Sequence, residues 1–175
     1  MKPEARLWQS VKNSLGRVGD RLDRIENSVG SGYPDVNVTF DSEDIWIELK
    51  APKEPKRKTT PLMTSNGNHC LLDSQINWFI RHRQADGIAF ILVRTDKRLM
   101  LVDGTKHAKV FNHWTVDEMM LNAILTCQVP TPKSEWSLLR ATLFSASRYH
   151  RLDRHARAQQ LLDDMERKGL VDHRR

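Results

Sequence analysis

The sequence predicts an α/β domain with a mixed central sheet, built in the order helix, three strands, helix, strand, and followed by a helical C-terminal extension. Apolar residues alternate in two short runs between residues 35 and 51, which is the pattern of a β-hairpin. A continuous apolar run, Ile88–Val93, has the length of a core strand and is far too short to span a membrane. Apolar residues at helical spacing lie before the hairpin and between it and that strand.

The first helix is predicted over residues 3–15 and ends at Gly16 and Gly19. Five apolar residues recur there at helical spacing: Ala5, Leu7, Trp8, Val11 and Leu15. A short strand over about residues 22–27 then leads into a turn rich in Gly, Ser and Pro at 28–34.

The hairpin over residues 35–51 places charged residues on one face, because successive side chains of a strand point to opposite faces. Pairing Phe40 with Ile45 aligns the apolar rows and sets Asp35 opposite Lys50. A slip by two residues keeps the faces and sets Asp35 opposite Glu48, whereas a one-residue slip would put the apolar rows on opposite faces. In either allowed register two carboxylates and one ammonium lie within about 4.5–8 Å of each other. This is the constellation of a metal-dependent phosphodiesterase.

The remaining elements follow from apolar spacing, turn residues and one capping box. They are an irregular loop over 51–68, a helix over 71–84, strands over 88–95 and 98–103, an edge strand at Val110-Phe111, a helix over 119–125 after the box Thr115–Glu118, a break at 129–132, and helices over 134–147 and 151–168. The order αβββαβ is complete by about residue 112. We therefore divide the chain into a core, residues 1–112, and a basic helical extension, residues 113–175, for docking, dimerisation or DNA binding.

The net charge favours a polyanionic partner. Lys and Arg number 28 against 22 Asp and Glu, which gives a net charge of +6 and a pI near 9.5. Nucleic acid is the first candidate for such a balance and a membrane surface the second. Two separated cysteines, Cys70 and Cys127, are too few for a zinc site or a disulfide framework, and the N-terminus lacks the apolar stretch of a signal peptide. We therefore expect an intracellular, cytoplasmic protein.

The pattern Pro34-Asp35 followed by Glu48-Leu49-Lys50 resembles the PD-(D/E)xK nuclease superfamily. Within it, the chain resembles the virus-type replication-repair (VRR-NUC) nucleases and the phage or archaeal Holliday junction resolvases. The segments that carry this likeness are Arg24-Ile-Glu-Asn27, Gly32-Tyr-Pro-Asp35-Val, Trp46-Ile-Glu-Leu-Lys50 and Gln75-Ile-Asn-Trp78. The likeness covers about residues 3–105 and implies a restriction-endonuclease-like core, whereas the C-terminal third matches no family that we can name.

The resemblance implies roles for the hairpin residues. Asp35 and Glu48 would hold one or two Mg²⁺ ions, for which Mn²⁺ would substitute, and the carbonyl of Leu49 would complete the shell. Mg²⁺ prefers oxygen ligands and keeps several waters. Lys50 would orient or help to deprotonate a metal-bound water and offset the charge that develops on the phosphate.

The resemblance also implies a further acid and a helix glutamine. Two residues could supply the acid: Glu4 on the first helix as a metal ligand, or Glu26 on the first strand as a catalytic group. This choice stays open from the sequence. Gln75 resembles the glutamine that lies near the metal-bound phosphate or water.

Basic residues near the hairpin are expected to contact DNA phosphates, which gives affinity that is independent of sequence. They are Arg24, Lys53, Lys56, Arg57 and Lys58. In the extension, arginines recur at 151, 154 and 157 on one helix side. The apolar residues Leu161, Leu162, Met165 and Leu170 are expected to dock the tail on the core or on a second subunit. Trp8, Trp78, Trp114 and Trp136 are interpreted as core or interface residues.

The function predicted from these features is a Mg²⁺-dependent DNA endonuclease that cuts branched DNA, in the manner of a Holliday junction resolvase. Symmetric cutting of two strands would require two sites and hence a C₂ homodimer. If the chain is phage-encoded, it would act in the bacterial host cell. A sequence-directed homing or restriction-like endonuclease is the first alternative, and a non-catalytic DNA-binding module with a nuclease fold is the second.

Overall fold

The structure is a computed structural model that describes residues 2–25, 32–40, 43–64 and 69–167. Its helices are α1 (Pro3–Ser14), α2 (Asp73–Gln84), α3 (Gly104–Phe111), α4 (Val116–Asn122) and α5 (Lys133–Arg167), with a short 3₁₀ helix at Leu62–Thr64. Its strands are β1 (Arg21–Arg24), β2 (Val36–Phe40), β3 (Glu43–Lys50), β4 (Ala89–Arg94), β5 (Arg98–Asp103) and β6 (Leu125–Gln128). None of the helices in the described part of the chain is both long and apolar enough to cross a membrane.

The six strands form one sheet whose spatial order follows the chain from β1 to β6. Neighbouring strands are antiparallel except β3 and β4, which are parallel. Parallel strands need a long connection, and here α2 lies within that connection. The predicted fold class, an α/β fold with the order αβββαβ, a mixed sheet and a helical C-terminal extension, is confirmed.

The register of the hairpin differs by two residues from the pairing first predicted. Phe40 pairs with Glu43, and Val38 pairs with Ile45. Continued to the start of β2, this register sets Asp35 opposite Glu48, so the first prediction, Asp35 opposite Lys50, is wrong and its two-residue alternative is observed. Both registers bury the same apolar face. The observed one also begins β3 at Glu43, a carboxylate that α5 covers.

The sheet separates two apolar cores. On one face, α1 and α5 cover the inward rows of β2 and β3, together with residues of β4, β5 and β6. On the other face, the 3₁₀ helix and α2, α3 and α4 cover Ala89, Ile91, Val93, Met100 and Val102. Side chains alternate along β3, so Trp46, Glu48 and Lys50 lie on the α2 face. The polar residues of the predicted site thus lie against α2.

The region after β5 differs most from the sequence prediction. Val110 and Phe111, predicted as an edge strand, lie in α3, because Asp103 accepts a hydrogen bond from Lys106 N and caps a helix that starts directly after β5. The predicted helix over 119–125 ends at Asn122 and is followed by β6, which pairs with β5. The two predicted helices at 134–147 and 151–168 form one continuous helix, α5, up to Arg167.

The C-terminal region contributes to the same core as α1 and β2, through Cys127 of β6 and Trp136, Leu139 and Leu143 of α5. Beyond residue 150 the helix is largely exposed, including Leu161 and Leu162. Leu170 lies outside the described residues. A division of function at residue 112 stays a prediction.

Candidate active site

Two charged side chains meet at the carboxyl end of β3. The Nζ of Lys50 lies 2.9 Å from Oε1 of Glu48. Both residues are buried, with 1% of Glu48 and 6% of Lys50 exposed. Because burial removes the hydration of a charge, such residues are rarely buried unless they are paired. The pair predicted from the alternation of β3 is therefore present as a buried ion pair.

Helix α2 adds Gln75 to this pair. Its Nε2 donates to Oε1 of Glu48 at 2.5 Å, and its Oε1 accepts from Lys50 Nζ at 3.4 Å. The same Oε1 accepts from the backbone N–H of Leu72 at 3.0 Å, which fixes the amide at the start of α2. Gln75 thus holds the carboxylate and the ammonium in one arrangement. Gln75 therefore lies against the predicted pair, and its predicted contact with phosphate or water stays a prediction.

Asp35 lies beside the pair, immediately before β2. Its Oδ2 accepts from the backbone N–H of Leu49 at 2.9 Å, which orients the carboxylate toward the end of β3. Burial raises the pKa of Asp35, although the Leu49 N–H and the charge of Lys50 partly oppose this shift. The Leu49 side chain lies in the opposite core, so only its backbone can serve the site.

The carboxyl group of Glu48 has a raised pKa and one oxygen atom that accepts no hydrogen bond from the described residues. Burial raises its pKa to about 7, with the charge of Lys50 lowering it and the charge of Asp35 raising it. Its Oε2 is buried and has no hydrogen-bond partner among the described residues. A buried carboxylate oxygen without a partner costs free energy, so binding of a proton or a cation at this atom is favoured.

The donor set fits a hard divalent cation. Asp35 and Glu48 present carboxylate oxygens, and both have raised pKa values. A bound cation would lower these pKa values again, because it favours the ionised carboxylates. Mg²⁺ is commonly held by one or two carboxylates and several waters rather than by a full cage of side chains. Within the described ranges, no cluster of three or more His, Cys, Asp or Glu side chains is placed to hold a metal. A cation here would therefore depend on the two carboxylates, backbone oxygen and water.

Glu4 lies near the site but has another partner. Its Oε1 is 3.5 Å from Nδ1 of His69, and its side chain is partly exposed. The negative charge of Glu4 contributes to the raised pKa of Asp35, which places it within electrostatic reach. Its role as a metal ligand stays a prediction, and Glu26, the alternative acid, lies outside the described residues. Sequence reasoning assigned no role to His69, which has no motif spacing that could have indicated one.

An aromatic cluster lies on the same face of the hairpin. The ring of Trp46 is 5.6 Å from that of Trp78, and the Tyr33 ring is 6.2 Å from each. His82 stacks on Trp78 at 4.5 Å. Tyr33 is about half-exposed, whereas both tryptophans pack against the α2-side core. The cluster thus covers the core edge beside Glu48, in agreement with the interpretation of Trp78 as a core residue.

The basic residues predicted to contact DNA are all exposed: Arg24, Lys53, Lys56, Arg57 and Lys58. The charge of Arg24 acts on Asp35 and lowers its pKa in part. The segment after β3 is tied to the β4–β5 turn by Glu54, which accepts from Thr95 Oγ1 at 2.9 Å and pairs with Arg98. Glu54 thus holds the start of this segment against the turn between β4 and β5.

The C-terminal arginines behave differently, because several have acidic partners within the chain. Arg140 donates to both carboxylate oxygens of Asp20. Arg151 lies 2.7 Å from Oε1 of Glu43, and Arg157 donates to Asp86 at 3.1 Å. These side chains fasten α5 to the rest of the fold.

Comparison with known proteins gave one kind of match. No family model matches the chain, and no curated protein matches it. Among solved structures, the chain is similar to Hjc, a Holliday junction resolvase from the archaeal hyperthermophile Archaeoglobus fulgidus. The sequences are 17% identical, the match covers 67% of this chain and 88% of Hjc, and the TM-score is 0.43.

Proposed function

We propose that the chain is a divalent-metal-dependent endonuclease of the PD-(D/E)xK type, which hydrolyses phosphodiester bonds in DNA. The observation that carries this proposal is the cluster of buried Glu48, Lys50 and Gln75 beside the half-buried Asp35, in which Glu48 Oε2 has no hydrogen-bond partner within the described chain. The spacing of these residues resembles the superfamily motif. Titratable groups with perturbed pKa values gathered on one face are typical of catalytic sites.

Each residue has a chemical task in this proposal. Asp35 and Glu48 would hold Mg²⁺, with the Leu49 carbonyl and Glu4 as further donors, and the bound ion would supply an acidified water and charge neutralisation at the phosphate. Lys50 places its ammonium beside Glu48 and stabilises negative charge that develops in the transition state. Gln75 keeps Lys50 and Glu48 in place through its two amide atoms.

The preferred DNA is branched, and the active form is a C₂ homodimer, which would cut two strands symmetrically. Both points rest on the resemblance of the motif to junction resolvases. A sequence-directed endonuclease would differ in one observable: it would cut linear duplex at one site as well as it cuts a four-way junction of matched sequence. Cleavage of the junction alone is expected here.

The test of the nuclease is a pair of substitutions. We expect Asp35→Ala and Lys50→Ala to lower the cleavage rate with Mg²⁺ by about 10²- to 10³-fold, the range found when one group that stabilises charge in the transition state is removed. Both variants should still bind DNA. Asp35→Ala should bind at least as tightly as the wild type, because a negative charge near phosphate is removed.

Two matched controls accompany these variants. Asp44→Ala removes from β3 an exposed carboxylate whose partners are Asn37 and Thr39. Lys12→Ala removes an exposed ammonium from α1. Both controls should cut at the wild-type rate. If Asp35→Ala or Lys50→Ala also cuts at that rate, the assigned site is wrong.

A further inference from the structure

A groove with cationic side chains at its rim lies at the carboxyl ends of β3 and β4, on the face that α1 covers. Its volume is about 410 Å³, and its cationic side chains come from three parts of the chain. Arg6 comes from α1, Lys53 from the segment after β3, and Arg94 from the end of β4. None of the roles assigned above uses Arg6 or Arg94.

Arg6 and Arg94 differ from other arginines of the fold in their ion pairing. Arg94 is half-buried, and its guanidinium donates to Ser10 Oγ at 3.0 Å, an uncharged partner. In the described part of the chain no carboxylate pairs with Arg94 or with the exposed Arg6. By contrast, Arg98 pairs with Glu54, and Arg140 with Asp20.

The groove has one carboxylate in its lining, that of Asp96. This carboxylate accepts from the backbone N–H of Glu54 at 3.1 Å. That hydrogen bond and the charges of Lys97 and Lys53 lower the pKa of Asp96. The single acid of the lining is thus already engaged, and neither Arg6 nor Arg94 pairs with a carboxylate in the described part of the chain. Since a partly buried guanidinium is stabilised by an anion, the groove is suited to a negatively charged group.

The position of the groove relates it to the candidate active site. Glu4 and Arg6 are two residues apart on α1, so they project from opposite sides of the helix. Glu4 contacts His69 and acts electrostatically on Asp35, whereas Arg6 lines the groove. Lys53 follows Lys50 by three residues. A polyanion that passes over the first turn of α1 and the end of β3 would meet both surfaces.

We propose that this groove binds a second backbone phosphate of the DNA whose scissile phosphate lies at Asp35 and Glu48. Arg6 and Arg94 are its phosphate-binding residues, since a guanidinium presents a planar fork of donors that matches two phosphate oxygens. The proposal rests on the proposed function for the identity of the polyanion. It extends the DNA contacts from the α2 face to the α1 face.

The salt dependence of DNA binding tests this proposal. In the full chain carrying Asp35→Ala, Arg6→Gln is compared with Lys12→Gln, which removes the same charge from α1 away from the groove. The affinity for a labelled four-way junction is measured over a range of KCl concentrations. Each phosphate contact contributes about 0.9 to the slope of log Kobs against log salt. We expect Arg6→Gln to reduce the slope by about that amount and Lys12→Gln to leave it unchanged.

Arg94→Gln provides a second variant, since glutamine retains a donor for Ser10. A reduced slope is expected again, with a thermal melt as the check that the variant is folded. Arg6 is exposed and its side chain has no bond within the described residues, so its substitution decides the matter even where Arg94→Gln unfolds.

Equal slopes for Arg6→Gln and Lys12→Gln would overturn the proposal. Inorganic phosphate separates the two sources of a phosphate group. If it raises the melting temperature of the Asp35→Ala chain more than that of the Arg6→Gln derivative, while the DNA slopes are equal, the groove binds free phosphate and the DNA proposal is wrong.

The test also separates this inference from the nuclease proposal. If the wild type cuts DNA but Arg6→Gln has an unchanged slope, only the groove assignment fails. If no DNA is cut with Mg²⁺ or Mn²⁺ while Arg6→Gln reduces the slope, the groove stands and the nuclease proposal fails.

Discussion

The two ends of β3 carry the same kinds of residue but arrange them differently. Each end has a buried glutamate, Glu43 at the beginning and Glu48 near the end, with 4% and 1% of the residue exposed. Each also lies near a basic segment, the arginines of α5 at the beginning and the lysine-rich segment 53–58 at the end. The number of charged residues alone gives no reason to treat the two ends differently.

At the beginning of β3, acidic and basic groups pair within the chain. Glu43 Oε2 accepts from Ser147 Oγ at 2.9 Å, and Arg151 approaches Oε1 to 2.7 Å, without the alignment of a hydrogen bond. Arg157 in turn donates to Asp86. These contacts fasten α5 across the sheet and compensate the charges of Arg151 and Arg157.

At the end of β3, the pairing is incomplete. Lys50 and Gln75 bind only Oε1 of Glu48, and burial raises the pKa of its carboxyl to about 7. Lys56 and Arg57 are exposed. The number of charges is thus similar at the two ends, but only one end has charge that the fold leaves uncompensated. Such uncompensated charge marks a surface that is suited to a ligand.

The largest expected difference between the two ends concerns catalysis. Glu48→Gln should lower the cleavage rate by more than about 100-fold, because even residues that only support metal ligands cost about 10- to 100-fold when they are mutated. Glu43→Gln should cut at the wild-type rate at a temperature where it is folded. It should instead lose about 1–2 kcal/mol of unfolding free energy, since the ion pair with Arg151 becomes a neutral contact.

Cleavage under single-turnover conditions and urea denaturation measure these two losses. A Glu43→Gln variant with native stability but little cleavage would reverse the assignment of the two ends. A Glu48→Gln variant that cuts like the wild type would remove Glu48 from the site.

The sequence predicted the end of β3 better than its beginning. The faces of the hairpin follow from alternation between neighbouring residues, so Asp35, Glu48 and Lys50 could be placed together. The register was predicted two residues away from the observed one, because both registers bury the same apolar face and alternation cannot choose between them. The bond of Glu43 to Ser147 joins residues 104 positions apart. No local pattern reports such a contact.

The C-terminal differences have the same physical cause. Strand β6 has only four residues, Leu125–Gln128, and its extended form depends on pairing with β5. The basic spacing of α5 predicted one charged side, but the sequence could not show that Arg151 and Arg157 would meet Glu43 and Asp86. Elements that rely on local periodicity were predicted, whereas partners in distant parts of the chain were not.

The pH dependence of stability gives the second test. The pKa of Glu48 is about 7 in the folded chain and 4.5 as the reference value, so between these values the folded state holds more protons than the unfolded state. The free energy of unfolding of the wild type should therefore fall as pH rises from about 4.5 to about 7, by on the order of 3 kcal/mol. Glu48→Gln lacks this carboxyl and should become the more stable protein over the same interval.

Urea denaturation of both proteins at pH 5 and pH 8 measures this change. Mg²⁺ sharpens the result, since an ion held by ionised carboxylates should stabilise the wild type at pH 8 more than at pH 5, and more than it stabilises Glu48→Gln. A stability difference that stays constant with pH would mean that Glu48 is not buried as a titrating group.

The smallest expected effect concerns the two basic segments. In the Asp35→Ala chain, Lys56→Gln and Arg57→Gln should each reduce the salt slope of DNA binding by up to about 0.9, because each removes a charge available to a phosphate. Arg157→Gln removes the same charge from α5, but that guanidinium already pairs with Asp86 and Asp153. It should leave the slope unchanged. If Arg157→Gln reduces the slope as much as Arg57→Gln does, pairing with an internal carboxylate does not prevent an arginine from binding DNA. The distinction between the two ends of β3 would then hold for Glu43 and Glu48 but not for the basic segments beside them.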